Sequence, residues 1–162
     1  MRLHRRNFLK STALVTLAGC LGGNTEAKKS ALQSYKQAMR SYKSAQQKLS
    51  EAQNAYESGN YSEASDLYSQ AADNYSAAQK KFFEAGNKDI PSTPRRTARQ
   101  AGKYSVDMSR AASNYATAAD LRSEGSVEAA ERKIQTAKGY VQDAKKHQKP
   151  VSVDEFRNQL GL

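Results

Sequence analysis

Residues 61–85 read YSEASDLYSQAADNYSAAQKKFFEA. Tyr61, Ala64, Tyr68, Ala71, Tyr75, Ala78, Phe82 and Ala85 recur at alternating steps of three and four, and most residues between them are polar. A stripe of that period lies along one side of an α-helix; sustained over three heptads, it is the seam of left-handed knobs-into-holes packing. The stretch therefore predicts a long helix burying an Ala/Tyr edge against other helices.

The stripe recurs outward in both directions. Upstream it runs through Ala31, Tyr35, Ala38, Tyr42, Ala45, Leu49, Ala52 and Tyr56. Downstream it runs through Ala101, Tyr104, Met108, Ala111, Tyr115 and Ala118, and again through Val127, Ala130, Ile134, Ala137, Val141 and Ala144. Gly59-Asn60 and Gly125-Ser126 interrupt it, each placing a turn former ahead of a residue suited to opening a helix. Asn87 to Pro94 is the one longer break, with Thr93 expected as N-cap and Pro94 as the first helical residue of the next run. A shift of 66 residues lays Gly59 on Gly125, Ala52 on Ala118, Ala64 on Ala130, Ala71 on Ala137 and Ala78 on Ala144, so one helical hairpin is used twice. After Pro150, Ser152 and Glu155 are spaced as a capping box and Val151 and Phe156 as a hydrophobic staple, predicting a short fifth helix.

The fold expected is all-α: an antiparallel four-helix bundle over residues 28–149, built from two duplicated long hairpins, with 150–162 as a short C-terminal helix. Ala52 to Tyr75, with Gly59, Tyr61, Ala64, Tyr68 and Ala71 in place, resembles one tetratricopeptide repeat, which implies a repeat-like helical stack as the alternative. The closing Pro of that repeat is missing, and the second helix runs on to about Gly86.

Within the stripe, Ala lets backbones approach and Tyr rings fill the space beside them. The reading is a core, or, where rings stay half-exposed, an aromatic groove for a peptide or lipid chain. Leu, Ile and Val are scarce after Cys20 and Ala burial contributes little per residue, which favours self-association or a partner. Gly102 and Gly139 stand inside helical runs as close-packing sites, weak spots or pocket markers.

Residues 1–20 form an address. Arg2 to Lys10 is basic, Ser11 to Gly19 is a short apolar run, and small residues precede Cys20, which is signal-peptide anatomy. The apolar run is about half the roughly 20 residues a transmembrane helix needs. Arg5-Arg6-Asn7-Phe8-Leu9-Lys10 resembles the twin-arginine export motif, with His4 where such motifs carry Ser or Thr. Leu17-Ala18-Gly19-Cys20 resembles the lipobox of archaeal and bacterial lipoproteins. These resemblances imply that 1–19 is a cleaved signal peptide, that the Cys20 sulfur carries a diacyl or diether glyceride, and that 20–27 is a flexible tether at the extracytoplasmic face of the cell membrane. Two acyl chains at about 0.8 kcal/mol per buried CH₂ anchor stably.

The chain carries a net charge of +10; removal of Arg2, Arg5, Arg6 and Lys10 with the signal leaves +6. That excess favours anionic partners and says nothing of fold. Drawn up-down-up-down, the hairpins gather Lys28, Lys29, Lys80, Lys81, Lys88, Arg95, Arg96, Arg99, Lys145, Lys146 and Lys149 at the tethered end. Glu57, Glu63, Asp66, Asp120, Glu124, Glu128 and Glu131 collect at the other. Lys80, Lys81, Arg95, Arg96, Arg99, Lys145 and Lys146 are the candidate contacts to anionic lipid, at about 1 kcal/mol per cation near the surface.

Catalytic equipment is missing from the sequence. Cys20 is the only cysteine, so neither an intrachain disulfide nor a thiolate metal cage can be built. Outside the signal the only histidine is His147, in a Lys-rich segment where a solvated role is expected. With one His and no free Cys there is no nucleophile–base pair and no His-based metal site, and no Glu-x-x-His pattern, Gly-rich phosphate loop or haem-attachment motif is present. The expectation is no enzyme, no cofactor, no metal and no nucleic-acid partner. The function expected is a membrane-anchored interaction or scaffold module of the cell envelope, binding another envelope protein or a second copy. The alternative is a carrier for a small apolar or anionic ligand.

Overall fold

The structure, a computed structural model, describes residues 21–162; the twin-arginine motif, the lipobox and Cys20 lie outside the described residues. Five helices follow in order: α1 (Leu21–Glu57), α2 (Tyr61–Gly86), α3 (Ser92–Ser123), α4 (Val127–Ala144) and α5 (Val153–Leu160). The fold is all-α, four long helices packed against one another and a short C-terminal one.

The two hairpin turns are copies of each other. Gly59 and Gly125 both have φ of 80°, a left-handed conformation that glycine adopts without steric penalty. The flanking bonds match residue for residue across the 66-residue shift. Asn60 N–H donates to the Ala55 carbonyl at 2.9 Å and Ala64 N–H to Asn60 at 2.9 Å; Ser126 donates to Leu121 at 2.7 Å and Ala130 to Ser126 at 3.0 Å. Asn60 and Ser126 open their helices as expected, yet neither side chain caps: φ and ψ of −82° and 64°, and of −85° and 68°, accompany no side-chain bond to the helix N-terminus.

Other boundaries depart from expectation. The segment 20–27 is helical from Leu21 instead of a flexible tether. Gly22 and Gly23 each cost about 1 kcal/mol relative to Ala, but extending a helix already nucleated adds one bond per residue and avoids the nucleation cost. Pro91, with φ −52° and ψ 155°, is the N-cap of α3, so Thr93 and Pro94 lie in the first turn. Pro is tolerated there because that amide has no helical acceptor. Helix α4 stops at Ala144, short of 149: Lys146 and His147 N–H donate to the Asp143 and Ala144 carbonyls three residues back, each at 3.0 Å, and Pro150 bars a return to helix further on.

Each long helix packs on its sequence neighbour, α1 on α2, α2 on α3 and α3 on α4; α1 meets α3 only sparsely and does not touch α4. Helix α4 has 18 residues against 32 in α3, and its end lies beside the middle of α3, where His147 Nε2 is 3.5 Å from Asp107 Oδ2. Beyond that point α5 packs on α1 and α3. Its Phe156 is fully buried and stacks on Tyr35 at 3.8 Å, while Phe82 meets Tyr35 edge-on at 5.0 Å. Tyr35 Oη donates to the Val151 carbonyl at 3.1 Å, and Glu155 N–H donates to Ser152 Oγ at 3.1 Å, which makes the expected cap of α5. Val151 and Phe156 join one apolar cluster, as the staple requires. Burying a side chain the size of Phe156 contributes about 1.5–3 kcal/mol.

Candidate functional site

The stripe predicted as core is buried except at Leu49, Tyr56, Tyr61, Tyr115, Val127, Ile134 and Val141. Leu49, Tyr56, Tyr115, Ile134 and Val141 stay half-exposed while the alanines beside them, Ala52, Ala118, Ala130, Ala137 and Ala144, are buried. Because α1 and α4 do not meet, their larger apolar side chains flank a gap. A groove of about 450 Å³ results, walled by Leu49, Gln53, Tyr56 and Glu57 of α1 and by Ile134, Lys138 and Val141 of α4, and floored by Tyr68, Met108 and Tyr115.

The floor is rigid. Tyr68 and Tyr115 stack at 5.3 Å between centroids, and burial raises both phenols, Tyr68 to about 12. Their hydroxyls therefore remain protonated donors at neutral pH. The far end of the groove is tied by one polar link, in which Arg122 Nε donates to Tyr56 Oη at 3.2 Å and Arg122 Nη2 lies 3.8 Å from Glu131 Oε1. Thus α1 and α4 are bridged there through the last turn of α3. Such a site can desolvate an apolar side chain and offer phenol hydroxyls, an amide and one ammonium at its edges.

The basic residues sort into groups the sequence did not separate. Arg95, Arg96 and Arg99 come together with Lys103, Ser92 and Gln100 around a recess of about 340 Å³ on α3. Two of the three arginines are engaged. Arg95 Nη2 donates to the Ile90 carbonyl at 2.8 Å and lies 3.6 Å from Asp89 Oδ1. Arg99 donates through Nε to the Gly86 carbonyl and through Nη2 to Asn87 Oδ1, each at 3.2 Å. These cations oppose the dipole of their own helix but sit at the negative end of α2, where positive charge is favoured. Lys81 is paired with Glu84 at 2.7 Å, whose carboxyl is held below its ordinary range by that lysine and by Ser34. Lys145 and Lys146 do not join the pole: α4 is too short, and Lys146 pairs with Asp143 at 2.6 Å beside the middle of α3. Lys80 and Arg96 are exposed. Lys103 was legible as the next step, seven residues after Arg96 on the same helical face.

His147 is half-buried against Asp107, which also lies 3.7 Å from Arg110, so the solvated role expected for it is corrected to a structural contact between α3 and the end of α4. Gly102 is a close-packing site, since a Cβ there would lie 2.7 Å from the Phe83 ring; Gly139 faces open space. Neither lines the groove. Among the described residues no group of three or more His, Cys, Asp or Glu comes together in a way that could hold a metal ion, and no helix is long and apolar enough to cross a membrane. No protein-family model matches the chain, and no curated protein and no solved structure is similar to it.

Proposed function

We propose that the chain is a non-catalytic lipoprotein, exported through the twin-arginine signal, anchored by Cys20 at the extracytoplasmic face of the membrane, and acting as a protein-interaction module through the groove between α1 and α4. The observation that carries the contact surface is the exposure of Leu49, Tyr56, Tyr115, Ile134 and Val141 around a groove of about 450 Å³, beside buried alanines of the same stripe. The occupant is an amphipathic helix of another envelope protein. The chain fills the neighbouring space beyond the end of α4 in that way, with α5 laid on α1 and α3 and Phe156 inserted as its anchor. Helix-in-groove recognition uses the same spacing of apolar anchors.

Lys80, Arg96 and Lys103, exposed near the end of α2 or in the first third of α3, supply the electrostatic contact to anionic headgroups, at about 1 kcal/mol each. A photo-crosslinking residue at Gln53 or Lys138 in intact cells should capture one partner that a probe at exposed Ala77 on α2 does not, and Ile134→Glu should abolish the capture. Equal capture from all three positions would contradict the assignment. One observation favours the carrier reading: the groove volume suits a small ligand. Native mass spectrometry of the membrane-extracted protein decides, since a carrier retains a small non-protein mass and an interaction module does not.

A further inference from the structure

We propose that Asn60 is an N-glycosylation site, carrying an oligosaccharide transferred from a polyprenyl-phosphate-linked donor; the inference rests on the extracytoplasmic placement proposed above. Asn60-Tyr61-Ser62 has the Asn-x-Ser form that such transferases accept when x is not proline. The chain contains a second copy of the same tripeptide, Asn74-Tyr75-Ser76, and the structure separates the two.

Asn60 stands at the apex of the α1–α2 hairpin, exposed, with non-helical φ and ψ of −82° and 64° and no side-chain bond to the helix it opens. Ser62 is exposed as well. Asn74 lies inside α2, its Nδ2 donates to Ser44 Oγ at 3.2 Å, and Tyr75 between it and Ser76 is 1% exposed. An acceptor tripeptide must leave regular structure to enter a transferase; for Asn60 that opens only the first turn of α2, with the Ala64–Asn60 bond and the Tyr56–Tyr61 ring contact, whereas for Asn74 it unwinds the interior of α2.

The duplicated hairpin supplies an independent argument. Ser126 occupies the position equivalent to Asn60, adopts nearly the same dihedrals and makes the same backbone bonds. The turn therefore does not need the Asn60 carboxamide, and a sugar on it disturbs no intramolecular bond. Helix α1 has 37 residues, about 55 Å at 1.5 Å per residue, so this apex lies far from the end that begins at the anchor. Transfer forms a bond from Asn60 Nδ2 to the anomeric carbon of the donor sugar and breaks the bond from that carbon to the phosphate oxygen. One amide proton passes to a base of the transferase and the polyprenyl phosphate departs, with nothing oxidised or reduced.

The test is mass spectrometry of the full-length gene product recovered from the membranes of its own source cells, intact and as peptides. The expected result is a carbohydrate mass on the peptide containing Asn60, lost entirely in Asn60→Gln and Ser62→Ala, retained in Ser62→Thr and unaffected by Asn74→Gln. An unmodified Asn60 in a protein whose first residue is a lipid-bearing Cys20 overturns the glycan and leaves the anchoring intact. An unmodified Asn60 in an uncleaved cytosolic chain overturns both. Sugar on Asn74 overturns the selection by folded structure.

Discussion

The flank of the α2–α3 pair is filled at one end and open at the other. Near the start of α1, α5 lies on α1 and α3, Tyr35 meets both Phe156 and Phe82, and Leu160 and Ile90 are 1% and 3% exposed. Toward the hairpin turns the same stripe of α1 faces α4 across a groove, and Leu49, Tyr56 and Ile134 remain half-exposed. The residue types are alike in both halves. Closure is decided by whether a third element brings a large side chain into the space, and among the described residues there is one such element for two such spaces. The filled end is where stability resides, and the unfilled end is where binding is available.

The difference can be broken most forcefully at Phe156. Phe156→Ala removes a fully buried ring stacked at 3.8 Å and should destabilise by about 3–5 kcal/mol in urea unfolding. Ile134→Ala in the groove should cost under about 1.5 kcal/mol, since its side chain is only partly withdrawn from water. Equal losses would mean that the two ends are equally closed.

Glycine substitutions sharpen the same contrast. Gly102→Ala places a Cβ 2.7 Å from the Phe83 ring and should destabilise by about 1 kcal/mol, whereas Gly139→Ala, facing open space on α4, should stabilise by up to about 1 kcal/mol. Thermal melts of the two variants should move in opposite directions.

A smaller effect should appear in alkali. Burial raises Tyr35, Tyr42, Tyr68, Tyr75 and Tyr115 above the ordinary 10.0, so the folded state holds these protons longer than the unfolded chain does. That contribution is complete below pH 10, and is lost as pH rises toward the folded value of about 12 for Tyr68. Phenolate absorbance should show these five tyrosines ionising above pH 10.0. Ionisation of Tyr68 and Tyr115 at 10.0 would mean that the floor of the groove is open to water.

Helices and turns were legible because Ala/Tyr periodicity and two Gly-led turns are local signals, and the 66-residue repeat reached down to individual backbone bonds. Ser152 capping α5 was legible for the same reason. The groove was not, because Leu49 and Ile134 occupy the same stripe as buried Tyr42 and Ala137. Whether α1 and α4 close over them is a matter of tertiary packing, which the period of the stripe does not encode. The basic end was half legible: Arg95 and Arg99 were located, but their attachment to the Ile90 and Gly86 carbonyls depends on how the 87–91 loop turns, which no residue pattern announces.

The open groove is tested most directly by methyl NMR with a soluble paramagnetic agent. The Leu49, Ile134 and Val141 methyls should broaden strongly while those of Leu160 and Ile90 stay sharp. Ile134 and Leu49 methyls as protected as Leu160 would show that α1 and α4 close on each other, leaving no surface for a partner.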